Sequence, residues 1–308
     1  MENICLLSFF RGVYMSQIKS KYFQSLTHMT LKEYVLQEFI PYQKSKGQKR
    51  ENLNKTIRTI EIILENPLCD KLLIDLNANH IEMILNSLKT ERHLSKATIN
   101  RYRSALLAIF NHAIRARVLD FNPVVLVKRH AERPRKRVLT IQEIEDILYY
   151  CKHSQNKELY TIVMIAINTG MRLNEIMNLK KSEIKGNKIY LAADRHKSGY
   201  QTMIPLNTTI NSVLKGFIRQ NSDETTDRVF KTKFIKRSFR TAVNRAEVED
   251  CRFHDLRRTF ATHLMEKNTP LYVIKTLLGH SSIAITEHYL HCSENKSIQY
   301  VEKLNLPV

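Results

Sequence analysis

Residues 254–289 read HDLRRTFATHLMEKNTPLYVIKTLLGHSSIAITEHY, and this stretch decides how the rest of the chain is read. It opens with His254 and Arg257, passes Leu277-Leu278-Gly279-His280, and closes on Tyr289, nine residues beyond His280. Phe260, Leu264, Val273, Ile274, Leu277 and Leu278 recur at helical spacing, and Pro270 and Gly279 supply the breaks. A helical scaffold therefore brings together an arginine, two histidines and a tyrosine. Those groups suit a phosphate that must be gripped, protonated and attacked.

Composition points to the same partner. The chain has 308 residues, enough for two domains with a core in each. It carries a net charge of +19, with lysine and arginine spread along its length. Such a surface favours nucleic acid, because many phosphate contacts release many counterions. Apolar content is ordinary and no low-complexity tract appears, which argues against disorder. The five cysteines are scattered without a C-x-x-C pair, so reduced thiols and a cytoplasmic setting are expected. The apolar run Ile4–Phe10 is too short to span a membrane. It fits either a short packing helix or a start site really at Met15, and no membrane partner is expected.

Residues 1–27 read as an N-terminal extension, and residues 28–125 as a bundle of four helices. The first run holds Leu31, Tyr34, Val35 and Phe39 and is disturbed by Pro41. The second holds Leu53, Ile57, Ile60, Ile63 and Leu64 and stops at Asn66-Pro67. Ile81, Ile84, Leu85 and Leu88 mark the third. The fourth starts at Ser95 as N-cap, buries Ile99, Tyr102, Leu106, Ile109, Phe110, Ala113 and Ile114, and is expected to end at Asn122-Pro123. Lys96, Arg101, Arg103, Arg115 and Arg117 fall on its polar side, as idle surface charges or as contacts to a DNA backbone.

Residues 126–138 are expected to form a basic linker along phosphates, stiffened by Pro134. A second domain, residues 139–308, begins with a capping box of Thr140 and Glu143 and a stripe of Ile141, Ile144, Ile147 and Leu148. A buried helix follows (residues 160–167), Asn168-Thr169-Gly170 turn the chain, and MRLNEIMNL opens another helix with Leu173, Ile176 and Leu179 inward. Residues 188–193 and 202–206 read as a β-hairpin around HKSGYQ, and further helices span about 208–219 and 232–246. The expected fold is mainly α: a four-helix N-terminal domain and a mostly helical second domain with a small antiparallel sheet.

The set His254-x-x-Arg257, Leu278-Gly279-His280 and Tyr289, with Thr169-Gly170-x-Arg172-x-x-Glu175 upstream, resembles the tyrosine recombinases, the family of phage integrases and chromosome-dimer resolvases. The resemblance is specific over residues 138–292 and looser over 28–125, where the family has a core DNA-binding domain. It implies six catalytic residues. Arg172 and Arg257 would clamp the non-bridging oxygens, since guanidinium groups form bidentate bonds without losing charge. Tyr289 would be the nucleophile, leaving a 3′-phosphotyrosyl bond that stores the energy of the broken linkage. His254 and His280 would serve as proton acceptor and phosphate donor, in an order the residues leave open. Lys197, in the Lys-Ser-Gly of the hairpin, would protonate the departing 5′ oxygen. Glu175 is expected to orient Arg172, and Arg258 to lie outside the clamp.

No cofactor is expected, and no G-x-x-x-x-G-K-[ST] motif appears. A metal site at His288, His291 and Cys292 lacks an obvious fourth ligand, and no metal is expected. The resemblance further implies double-stranded recombination sites, a homotetramer on DNA, exchange through a Holliday junction, and an accessory bending or directionality factor. Ile298, Val301 and Leu304 suggest a C-terminal tail that packs on a neighbouring protomer. The Ser95–Tyr102 run favours an integrase of a phage or mobile element. A dimer resolvase, a type IB topoisomerase and a non-catalytic DNA-binding protein remain the alternatives.

Overall fold

Apolar residues at helical spacing fold as helices in both halves of the chain, and the protein is mainly helical with one small antiparallel sheet. The computed structural model describes residues 26–132, 135–192, 201–221 and 225–279. The chain divides into two compact units, residues 1–133 and 134–308. Among the described residues, no helix is long and apolar enough to cross a membrane.

In the N-terminal unit the first helix, α1, joins α-helical Leu31–Tyr34, a π-helical turn Val35–Phe39 and α-helical Ile40–Ser45. Pro41 therefore disturbs this helix without ending it. A proline ring collides with the carbonyl one turn back, and the wider π turn makes room for it. Helix α2 is Arg50–Leu64, α3 is Ala78–Glu91 and α4 is Lys96–Arg115. Asn77 and Ser95 cap α3 and α4, accepting from the N–H groups of His80 and Thr98, each bond worth about 1 kcal/mol. Ile60, Ile63, Ile81, Ile84, Ile99, Leu106, Ile109 and Phe110 close one core between the helices.

Helix α4 stops before Asn122-Pro123. Arg117 takes a left-handed conformation (φ 60°), its N–H reaches Ile114 and that of Val118 reaches Ala113. This Schellman closure is driven by Val118, which is buried, and it overrides the usual preference for glycine at that position. Arg103 is not a free outward cation either. Its guanidinium donates to the carbonyls of Val127 (2.8 Å) and Val124 (3.0 Å).

The C-terminal unit begins with α5, Ile141–Lys152, opened by the Thr140–Glu143 capping box. Ile147 is buried and Ile144 and Leu148 partly so, but Ile141 is 64% exposed, contrary to the expected stripe. Helix α6, Leu159–Thr169, is apolar on nearly every side and is buried accordingly. It packs against α5, against α8 (Thr208–Gln220) and against α10 (Phe253–Glu266). The short α7 is Leu173–Met177, α9 is Lys236–Arg245 and α11 is Leu271–Leu278.

The sheet has three strands in the order β1 (Ile184–Lys185), β2 (Lys188–Leu191), β3 (Thr202–Pro205), all antiparallel. The β2–β3 register pairs Ile189 with Ile204 and Leu191 with Thr202. Strand β1 was not expected, because two residues carry no readable alternation. The hairpin tip, residues 193–200, lies outside the described residues.

The segment read as a phosphate-tracking linker is largely tied to protein. Asn100 exchanges two hydrogen bonds with the backbone of His130 (2.9 and 3.0 Å). Beyond residue 134, Arg135 pairs with Asp255 and Asp250, and Arg137 with Glu143. These two arginines are committed to carboxylates, contrary to the expectation that the segment's cations lie along phosphates.

Candidate active site

Two turns of chain distant in sequence meet at the site. Gly170 ends α6 in a left-handed conformation (φ 65°), which a residue with a Cβ resists. Space enforces the same choice. A Cβ at Gly170 would lie 2.6 Å from Phe260 Cδ1 of α10 and 2.7 Å from Leu278 Cδ2 of α11. Thr169 secures the turn, its hydroxyl donating to Ile165 O (2.6 Å) and accepting from Met171 N–H (3.2 Å).

Close packing at Gly170 leaves its carbonyl within reach of Arg257. The guanidinium donates from Nη1 to Gly170 O (2.7 Å) and from Nη2 to Leu278 O (2.6 Å). Both carbonyls sit at helix C-termini, where orphan acceptors and the negative end of the dipole favour a cation. Arg257 is 3% exposed, so these bonds fix its planar group in one orientation. Arg172, two residues past Gly170, is held by Glu175: Arg172 Nη1 donates to one carboxylate oxygen (2.9 Å) and the Arg172 backbone N–H to the other (2.8 Å). Glu175 is thus the orienting partner expected for Arg172.

His254 lies in the first turn of α10, three residues before Arg257, with much of its surface open to solvent. Its pKa falls below the ordinary histidine value, first because the ring loses hydration among its neighbours. The guanidiniums of Arg257, Arg258 and Arg172 lower it further, against the opposing pull of Asp255. The two arginines of the expected clamp therefore both act on His254. At neutral pH its imidazole is uncharged and able to accept a proton. His254 and Arg257 edge a cavity of about 420 Å³ whose wall includes Met171, Leu173, Phe239 and Phe253.

The structure brings Arg172, His254 and Arg257 together. Lys197, His280 and Tyr289 lie outside the described residues, as do Ile298, Val301, Leu304 and the cluster His288, His291, Cys292. Sequence reading missed Asp255, buried at 2% exposure, and Arg135, which holds it. The Arg252-x-x-Asp255 spacing at a helix start was a usable signal for Asp255, which accepts from the Arg252 N–H at 2.8 Å. Nothing local marked Arg135, whose partner lies 120 positions away.

Residues 137–296, just over half of the chain, match the profile described as the Phage integrase family. A tyrosine recombinase of Thermosipho africanus is 26% identical over 218 residues, covering 68% of this chain and 76% of its own. The Tn1549 transposon integrase in complex with a circular intermediate DNA has a similar fold, with a TM-score of 0.77 at 18% identity over 90% of this chain and 100% of its own. A lambda integrase tetramer bound to a Holliday junction superposes with a TM-score of 0.69 at 22% identity, covering 85% of this chain and 77% of that one. With more than half of its length matching that profile, the chain belongs to the phage integrase family of tyrosine recombinases, enzymes that break and rejoin DNA.

Proposed function

We propose that the protein is a site-specific recombinase of a phage or mobile element, in which Tyr289 attacks a DNA phosphodiester. The tyrosine oxygen forms a bond to phosphorus as the bond to the 5′ oxygen breaks, leaving a 3′-phosphotyrosyl link. Arg172 and Arg257 neutralise the two non-bridging oxygens, and fixed guanidiniums do so without reorganisation at the moment of reaction. His254 accepts the tyrosine proton or a phosphate hydrogen bond, His280 donates to a phosphate oxygen, and Lys197 protonates the departing 5′ oxygen. Reversal of these steps by the 5′ hydroxyl of a second duplex reseals the strand and leads to a Holliday junction. The observation that carries this reading is the locked pair at the centre. Arg257 is fixed between two helix ends, and His254, on the same helix, is held neutral.

The surface supports a DNA partner. Helix α9 exposes Lys236, Arg237, Arg240, Thr241, Asn244 and Arg245 and contains no acidic residue. Lys236 and Arg240 edge the same cavity as His254 and Arg257. A DNA backbone lying on this face would meet the helix and the site together. Assembly as a tetramer, as in the similar lambda integrase complex, is part of the proposal.

Covalent trapping in cells tests it. Lysis in denaturant, recovery of DNA still attached to the protein, and sequencing should return one or two defined sites from the wild type and none from Tyr289→Phe. Adducts scattered over the genome would favour a topoisomerase, and adducts surviving in Tyr289→Phe would exclude Tyr289 as the nucleophile.

A further inference from the structure

The chain that opens the C-terminal unit is fastened along α10, the helix carrying His254 and Arg257. Arg135 Nε lies 2.9 and 3.1 Å from the two carboxylate oxygens of Asp255, and Nη2 lies 2.8 Å from the second. Its other edge reaches Asp250, bonding the carboxylate at 2.8 Å and the carbonyl as well. Four residues on, the Leu139 N–H donates to the Thr259 hydroxyl (3.0 Å), which itself donates to Asp255 O (2.8 Å). Arg137 adds bonds to the Glu249 carbonyl at 3.3 and 3.4 Å. Asp255 and Thr259 are buried, so the bonds to these two residues are largely sheltered from water and fix the first turn of α10 on the side away from solvent, whereas those to Asp250 and Glu249 lie at the surface.

We propose that Arg135 is a positioning residue for the active site: by spanning both oxygens of Asp255 it sets the first turn of α10, and with it His254 and Arg257. Asp255 is next to His254 in sequence and caps the Arg252 N–H, so a carboxylate free to turn would loosen the start of the helix. Arg135 touches no reacting atom in this scheme and acts only through Asp255. The inference rests on the proposed roles of His254 and Arg257, and its test can be read without them.

The experiment compares the full-length wild type with Arg135→Gln and Arg135→Lys. Lysine keeps the charge but cannot bridge both carboxylate oxygens, so it serves as the folded variant if glutamine fails to fold. In DNA-free protein, the imidazole resonances of His254 and the Nε–H resonance of Arg257 are expected to move or broaden in both variants. Affinity for a labelled duplex of random sequence should stay within about twofold, while the yield of trapped covalent adduct falls at least about tenfold, less in the lysine variant. Resonances unchanged from wild type would overturn the proposal. So would a duplex affinity that falls in step with adduct yield, because Arg135 would then be a phosphate contact. If the wild type itself yields no adduct, the recombinase reading fails, and the resonances still decide the role of Arg135.

Discussion

Arg257 Nη1 donates to the carbonyl oxygen of Gly170 at 2.7 Å, joining two residues 87 positions apart. The bond exists because Gly170 lets three helices converge on one turn. It makes a single backbone position responsible for the orientation of a buried guanidinium.

Gly170→Ala is therefore expected to destabilise the protein by about 2–3 kcal/mol, combining a left-handed backbone with a Cβ forced against Phe260 and Leu278. Gly186→Ala is the control, with a similar φ of 64° and nothing within 4 Å of the added Cβ. It should cost only about 1 kcal/mol. Urea denaturation of the two variants separates backbone strain from the packing collision.

The two arginines should separate by stability. Arg257→Ala leaves the buried carbonyls of Gly170 and Leu278 without this donor, a loss of about 2–4 kcal/mol readable by denaturation. Arg172→Lys keeps a cation beside Glu175 and should change stability by less than about 1 kcal/mol. Its adduct yield should nonetheless fall about 100-fold, because an ammonium lacks the planar fork. Equal adduct yields from Arg172→Lys and wild type would remove Arg172 from the clamp.

His254 sets a pH dependence of definite sign. Its folded pKa lies below the ordinary value of 6.5, so between the two values the unfolded chain binds the extra proton. Stability from this group is complete above about 6.5 and declines as pH falls from there toward the folded pKa. The rate of adduct formation should drop through that folded pKa as the imidazole gains its proton. NMR titration of His254 locates it, and His254→Gln should abolish that limb of the rate profile.

At the start of α5, Glu143 is held below the ordinary carboxylate range, first by its hydrogen bond from Arg137 and then by the Thr140 backbone N–H. Its contribution is present above the unfolded value near 4.5 and is lost as pH falls through the lower folded pKa. Thr140→Ala should cost about 1 kcal/mol by removing the hydroxyl that accepts from Glu143 N–H. Glu143→Gln should flatten the acid limb of a stability profile recorded by thermal unfolding.

The chain by itself determined what short-range physics controls. Helical periodicity placed α2, α3, α5 and α6 close to their observed bounds. The capping residues Ser95 and Thr140 announced their helices, because a cap is a contact over three residues. Arg172, His254 and Arg257 were picked out differently, by the resemblance of their motifs to those of the tyrosine recombinases. Tertiary structure decided the rest. Burial of Val118 ended α4 at Arg115, well before Asn122-Pro123, and a π turn carried α1 through Pro41. Partners more than a hundred positions away turned Arg135 from a linker cation into a buried carboxylate's counterion. No local pattern encodes such pairs, since their energy appears only once folding has removed the water between them.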